Sequence, residues 1–151
     1  MWRHAPLLLA LTLTPACAHK EAASGAKQLY SEVVTEGASD LSIELTYEPA
    51  GSRTAALILR LQLVGIEETD KLVAEVYLHG LNIEDGSTRW EGFVPPRQPQ
   101  SYRVALSVPE GSSEATATFS LQRSHDSHVL LHRELAFAVD ASGQVTVREL
   151  P

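Results

Sequence analysis

From Leu41 onward the apolar residues of this chain fall on alternate positions. Leu41, Ile43, Leu45 and Tyr47 are separated by Ser42, Glu44 and Thr46. Leu57, Leu59, Leu61 and Leu63 form a second row, with Ile58, Arg60 and Gln62 between them. A period of two puts each set on one face of an extended backbone, whereas a helix needs a period of 3.6. The pattern recurs at Leu72, Ala74, Val76 and Leu78, at Tyr102, Val104, Leu106 and Val108, and at Ala115, Ala117, Phe119 and Leu121. A further row, Val129, Leu131, Leu135, Phe137 and Val139, is interrupted by Arg133, and Val145-Thr146-Val147 closes the series. Half-buried strands in this number predict an all-β fold.

Turn signals separate the rows: Pro49-Ala50-Gly51-Ser52, the acidic Glu67-Glu68-Thr69-Asp70, Pro95-Pro96-Arg97-Gln98-Pro99 and Asp140-Ala141-Ser142-Gly143. Asp85-Gly86 lies between Leu81-Asn82-Ile83 and Thr88-Arg89-Trp90, and Asp-Gly accepts the positive φ angles of a type I′ turn, so a hairpin is expected there. Seven or eight short strands over about 110 residues predict one antiparallel β-sandwich across 40–151. In pattern it is similar to immunoglobulin and fibronectin type III sandwiches, without the paired cysteines of true immunoglobulin domains.

The segment ahead of the rows differs. Residues 18–39 are rich in Ala, Ser, Gly, Glu and Lys and read as a tether. Within it, 26–36 has the composition of a short helix, which Val33-Val34 and Gly37 disfavour. Further upstream, Arg3 and His4 precede an apolar stretch from Ala5 to Leu13, too short to span a bilayer, which takes about 20 apolar residues. It ends in Thr14-Pro15-Ala16-Cys17, and Cys17 is the sole cysteine.

This arrangement resembles the signal and lipobox of bacterial lipoproteins, over the first seventeen residues only. Ala16 matches the small residue before the cut, while Thr14 departs from the usual leucine, displaced here to Leu13. The resemblance implies a signal peptide at 1–16, a diacylglyceryl group on Cys17, and a lipidated N-terminus with its tether over 17–39. Ala18, in place of aspartate, leans toward the outer membrane. Ala16-Cys17-Ala18 also fits an Ala-x-Ala signal-peptidase site, which would release a soluble periplasmic or secreted chain.

Charge narrows the partners. The chain has 12 Lys+Arg and 19 Asp+Glu, a formal charge of −7, and loss of 1–16 removes Arg3 alone. An acidic domain repels phosphate backbones and anionic lipid surfaces, so nucleic acid is not expected and any membrane link must run through the N-terminal lipid.

Chemistry-bearing clusters are few. His125, Asp126 and His128 lie in one turn and are the candidates for a metal. His128 and His132 would sit on one face of a helix, but four strand residues span about 13 Å, too far to share an ion. The simpler reading is a solvated turn, with no metal and no cofactor. Glu67, Glu68 and Asp70 match no calcium-loop spacing. No Gly-x-Ser-x-Gly elbow, phosphate-binding loop or His-Glu-x-x-His motif occurs, and no enzyme is expected. Trp90, Phe93, Pro95 and Pro96 are the candidate partner surface, since aromatic side chains are enriched at interfaces; the alternative is a core tryptophan beside prolines that protect a sheet edge. Together these readings lead to a membrane-anchored envelope lipoprotein whose non-catalytic sandwich binds a protein or an envelope polymer. The alternatives are a small-ligand or glycan-binding sandwich and a lipoprotein subunit of a secretion or envelope machine.

Overall fold

The computed structural model describes residues 25–112 and 114–151; the signal peptide expected at 1–16 and the expected lipidation site Cys17 lie outside the described residues. The alternating rows become strands, and none of the described residues is helical. In chain order these are β1 (Lys27–Glu36), β2 (Ser39–Pro49), β3 (Thr54–Val64), β4 (Leu72–His79), β5 (Asn82–Asp85), β6 (Arg89–Gly92), β7 (Gln100–Ser107), β8 (Thr116–Arg123), β9 (Val129–Val139) and β10 (Val145–Glu149). They form two antiparallel sheets, β1-β2-β3-β7-β5 and β10-β9-β8-β4-β6. With β1, β6 and β10 set aside, the order β2-β3-β7-β5 over β9-β8-β4 is the A-B-E-D over G-F-C order of immunoglobulin-type sandwiches.

Register explains why the rows bury. Leu59 stands opposite Leu45 on β2 and Tyr102 on β7. Leu121 stands opposite Ala74 on β4 and Leu131 on β9. The two inner faces meet in one apolar cluster containing Leu41, Ile43, Leu59, Leu106, Phe119 and Leu135. In the β9 row, Val129 is the exception and is exposed at the strand's start.

Residues 27–36, expected as tether or short helix, form an edge strand instead, so the sandwich begins ahead of Asp40. Glu36 and Ser39 face each other across Gly37-Ala38, and Gly37 has φ +65°, which suits the first position of a type II′ turn. The glycine that argued against a helix is the hinge of a hairpin.

The hairpin expected at Asp85-Gly86 is not there. β5 pairs with β7 in one sheet and β6 with β4 in the other, so 82–92 is one rising segment that changes sheets at Gly86. Positive φ (+86°) supplies the bend, and a Cβ at Gly86 would stand 2.6 Å from the Arg103 carbonyl oxygen. Such corners are a known way for a strand to leave one layer for the other.

The strand directions define two poles. At one, the N-terminal segment enters β1 and the β2–β3, β7–β8 and β9–β10 connections gather. Arg53 (φ +55°) clamps these three: its backbone N–H donates to Gly143 O (2.8 Å), and its guanidinium donates to Val108 O and Pro109 O (2.8 Å each). At the other pole lie the β1–β2 turn, the β3–β4 loop, the β6–β7 loop and the β8–β9 turn.

Candidate interaction surface

Ile66 and Phe93 are exposed apolar side chains on the loops of the pole remote from the N-terminal entry, with Val33, Val64 and Val129 near the same end; Tyr77 and Ile83 are exposed toward the other. The β3–β4 and β6–β7 loops are tied at the remote pole by a reciprocal pair of bonds. Thr69 N–H donates to Val94 O (3.3 Å), and Val94 N–H donates to the Thr69 hydroxyl (3.0 Å). Both residues are buried, and Val94 anchors its loop in the core. Its neighbour Phe93 therefore turns outward and is 47 % exposed, while Ile66 on the adjoining loop is 89 % exposed. Two more bonds bind the other connections to this platform: the Ser39 hydroxyl donates to Glu67 O (3.2 Å), and Ser124 N–H donates to Lys71 O (2.8 Å).

The four residues singled out from sequence divide. Trp90 stands opposite Ala74 and packs against the core from the β6 edge; a Cβ at Gly92 would come within 3.0 Å of its ring. Phe93 is the outward member, and Pro95 and Pro96 are half-buried. Ile66 has no row to mark it in the sequence, and Val94 gives no signal either, since a single apolar residue before Pro95-Pro96 has no period.

The acids of this pole have few partners. Glu67, Glu68 and Asp70 are exposed. Among the described residues neither Glu67 nor Glu68 pairs with a cation, and Asp70 Oδ2 lies 3.9 Å from His125 Nδ1. Next to them, Asp126 is occupied. Its carboxylate accepts from Arg123 Nε (3.1 Å) and His128 N–H (3.0 Å) and pairs with Arg123 Nη2 (2.8 Å). The backbone N–H of His128, together with Arg123, holds that carboxyl below its ordinary range. His125 Nε2 stands 3.6 Å from Asp126 Oδ2. A cation would have to displace the arginine, and among the described residues no three His, Cys, Asp or Glu side chains gather as a metal group.

Arg133, which interrupts the β9 row, has a structural reason. It faces the gap between the sheets, where its guanidinium carbon sits 4.5 Å from the Tyr30 ring centroid on β1. Its Nε is 2.8 Å from Glu149 Oε1, an ion pair without hydrogen-bond alignment, and its Nη1 donates to His132 O (2.7 Å). Higher on the same seam, Arg123 Nη1 reaches Glu36 Oε1 (3.4 Å), and the Glu36 side chain is only 2 % exposed. The seam between β1 and the β8–β9 side is thus closed by charge and an aromatic face rather than by an apolar row.

The outer face of the first sheet carries a concavity of about 500 Å³ lined by Glu44, Thr46, Glu48, Ile58, Arg60 and Gln100, among others. Its charges offset one another, for Glu44 faces Arg60 in register and Glu48 lies 3.7 Å from Arg103.

Comparison with protein-family models and with curated proteins finds no match to this chain.

Proposed function

We propose that this chain is a lipid-anchored protein of the bacterial cell envelope, held through Cys17, whose sandwich binds a protein without catalysis. The observation that carries the reading is the exposure of Phe93 and Ile66 on two tied loops, at the pole opposite the N-terminal entry. Exposed anchors on loops fixed to a rigid scaffold are where binding residues concentrate. The edges offer a partner strand less. β5, β6 and β10 are four or five residues long, and β1 carries a bulge near Leu29 and the charged Glu32 and Glu36. Short strands, bulges and charges discourage edge pairing.

A second reading, a small-ligand or glycan-binding sandwich, takes its support from the concavity over Glu44 and Arg60. That cleft has no aromatic side chain in its lining, whereas ligand sites are mostly apolar and aromatic with a few placed polar groups.

Two experiments test the proposal. Metabolic palmitate should label the wild-type chain and not Cys17→Ser; equal labelling removes the anchor. Phe93→Ala should weaken partner capture at unchanged melting temperature, whereas substitutions at Arg60 should not. The reverse pattern moves the site to the concave face.

A further inference from the structure

The apolar tips of the remote pole stand among uncompensated acids, and this sets the chemistry of what can cover them. Ile66 is followed directly by Glu67 and Glu68, and Asp70 ends the same loop, which bonds to the Phe93 loop through Thr69 and Val94. Arg123 is spent on Glu36 and Asp126, and Lys71 on Glu91 (2.7 Å). Of the cations at this pole, Arg97 alone among the described residues has no carboxylate within ion-pair distance.

Resting on the binding role proposed above, we infer that the occupant of this pole is a cationic polypeptide segment. It presents an apolar residue to Ile66 and Phe93 and lysines or arginines to Glu67, Glu68 and Asp70. An apolar contact alone would suit many surfaces. The acids make it selective, because a segment of like charge is repelled on approach while a basic one is steered in. Anionic bilayers and phosphate-rich polymers are excluded by the same sign. The other exposed charge clusters do not make this demand. On the outer face of β4 and β6, Glu75 and Glu91 are paired with Arg89 and Lys71, so that surface is already neutralised.

The two contributions separate kinetically. Rim charges act on association and its salt dependence, whereas a buried apolar anchor acts on dissociation. Glu67→Gln with Glu68→Gln should therefore slow association and flatten its dependence on ionic strength. Phe93→Ala should speed dissociation and leave that dependence in place.

The test uses the full anchored chain in cells, with a benzophenone photo-crosslinker in place of Ile66, or in place of Phe93 in a second variant. The cross-linked peptide is identified by mass spectrometry. A polypeptide segment with Lys or Arg flanking an apolar residue is expected. The cross-link yield should fall roughly tenfold in Glu67→Gln/Glu68→Gln, as two lost charge contacts imply, and hold in the opposite-pole control Glu110→Gln/Glu114→Gln. A cross-linked segment that is neutral or acidic, with a yield indifferent to both pairs, overturns the cationic partner and leaves the docking pole standing. Equal losses in both pairs show general attraction to an acidic protein and overturn the inference. A cross-link to envelope polymer instead of polypeptide also overturns it. No cross-link from either position, with one obtained from a cross-linker in place of Arg60, overturns the pole itself.

Discussion

Three apolar side chains, Leu59, Trp90 and Phe93, have three different fates, and their energetics should separate accordingly. Leu59 is 1 % exposed between Leu45 and Tyr102. Leu59→Ala should cost about 2–5 kcal/mol, read as a lower denaturation midpoint, because a cavity remains where the side chain was. Trp90 plugs the β6 edge and is half-buried, so Trp90→Ala should cost about 2–3 kcal/mol. Phe93 faces solvent, and Phe93→Ala should change stability by no more than about 0.5 kcal/mol. If Phe93→Ala unfolds the protein as Trp90→Ala does, the loop is core and not contact surface. Sequence marks Trp90 and Phe93 together because both are aromatic. What separates them is strand pairing: Trp90 opposes Ala74 in the β4–β6 register, while Phe93 falls beyond β6 beside an anchoring Val94.

At the level of elements, the strands that alternation reveals are those whose inner row is apolar: β2, β3, β4, β7, β8, most of β9 and β10. β1 carries no such row: its inner positions are Tyr30, Glu32, Val34 and Glu36, and its partners include Arg133 and Arg123. A period of two in side-chain direction is invisible when half the inward positions carry charge. β1 is nonetheless part of the sandwich, covering one whole side of β2. A chain beginning at Asp40 should therefore still show a β-rich circular dichroism spectrum but melt roughly 10 °C or more below the chain that includes β1, as loss of ~2 kcal/mol or more implies. An unchanged melting temperature would show that β1 adds nothing to the fold. The Asp85-Gly86 segment reads as a hairpin in sequence, yet folds as a corner, for another reason. The dipeptide reports a need for positive φ, and a sheet-switching corner satisfies that need as well as a hairpin does. Gly86→Ala should cost about 2–3 kcal/mol, since the added Cβ meets a backbone carbonyl and cannot be relieved by a side-chain rotation. A stable Gly86→Ala protein would mean that this corner is not constrained as described.

For the molecule as a whole, titration and orientation follow from where groups sit. Burial pushes the Tyr102 hydroxyl up to about 12, and burial with the hydrogen bond to Glu32 does the same for Tyr30. Both bind their protons more tightly folded than unfolded, where the value is 10.0. Their contribution is complete below pH 10 and is lost as pH rises toward 12, so denaturation midpoints should fall across that window. At the acid end Asp126 and Asp140 lie below their ordinary 3.8, held by His128 N–H and by the Ser142 hydroxyl respectively, so their contribution is present above that value and fades as pH drops through it. Flat stability from pH 9 to 12 would remove the alkaline half of this account. Orientation is the larger consequence. Strand parity puts the N-terminal entry beside Tyr47 and Pro49, at the pole of the β9–β10 turn, and puts Ile66 and Phe93 at the other, about 33 Å away along the eleven residues of β3. If Cys17 is the lipid anchor, the anchored sandwich presents Ile66 outward on average, and the Ser142 turn stays near the bilayer. Acylation of Cys17 would consume the sole cysteine of the chain, so Ile66→Cys and Ser142→Cys would each give one labelling site. Energy transfer from a dye at each site to an acceptor in the bilayer should be clearly weaker from position 66 than from position 142. Equal transfer would mean that the sandwich tumbles on its tether, and that the apolar pole is displayed toward the membrane as often as away from it.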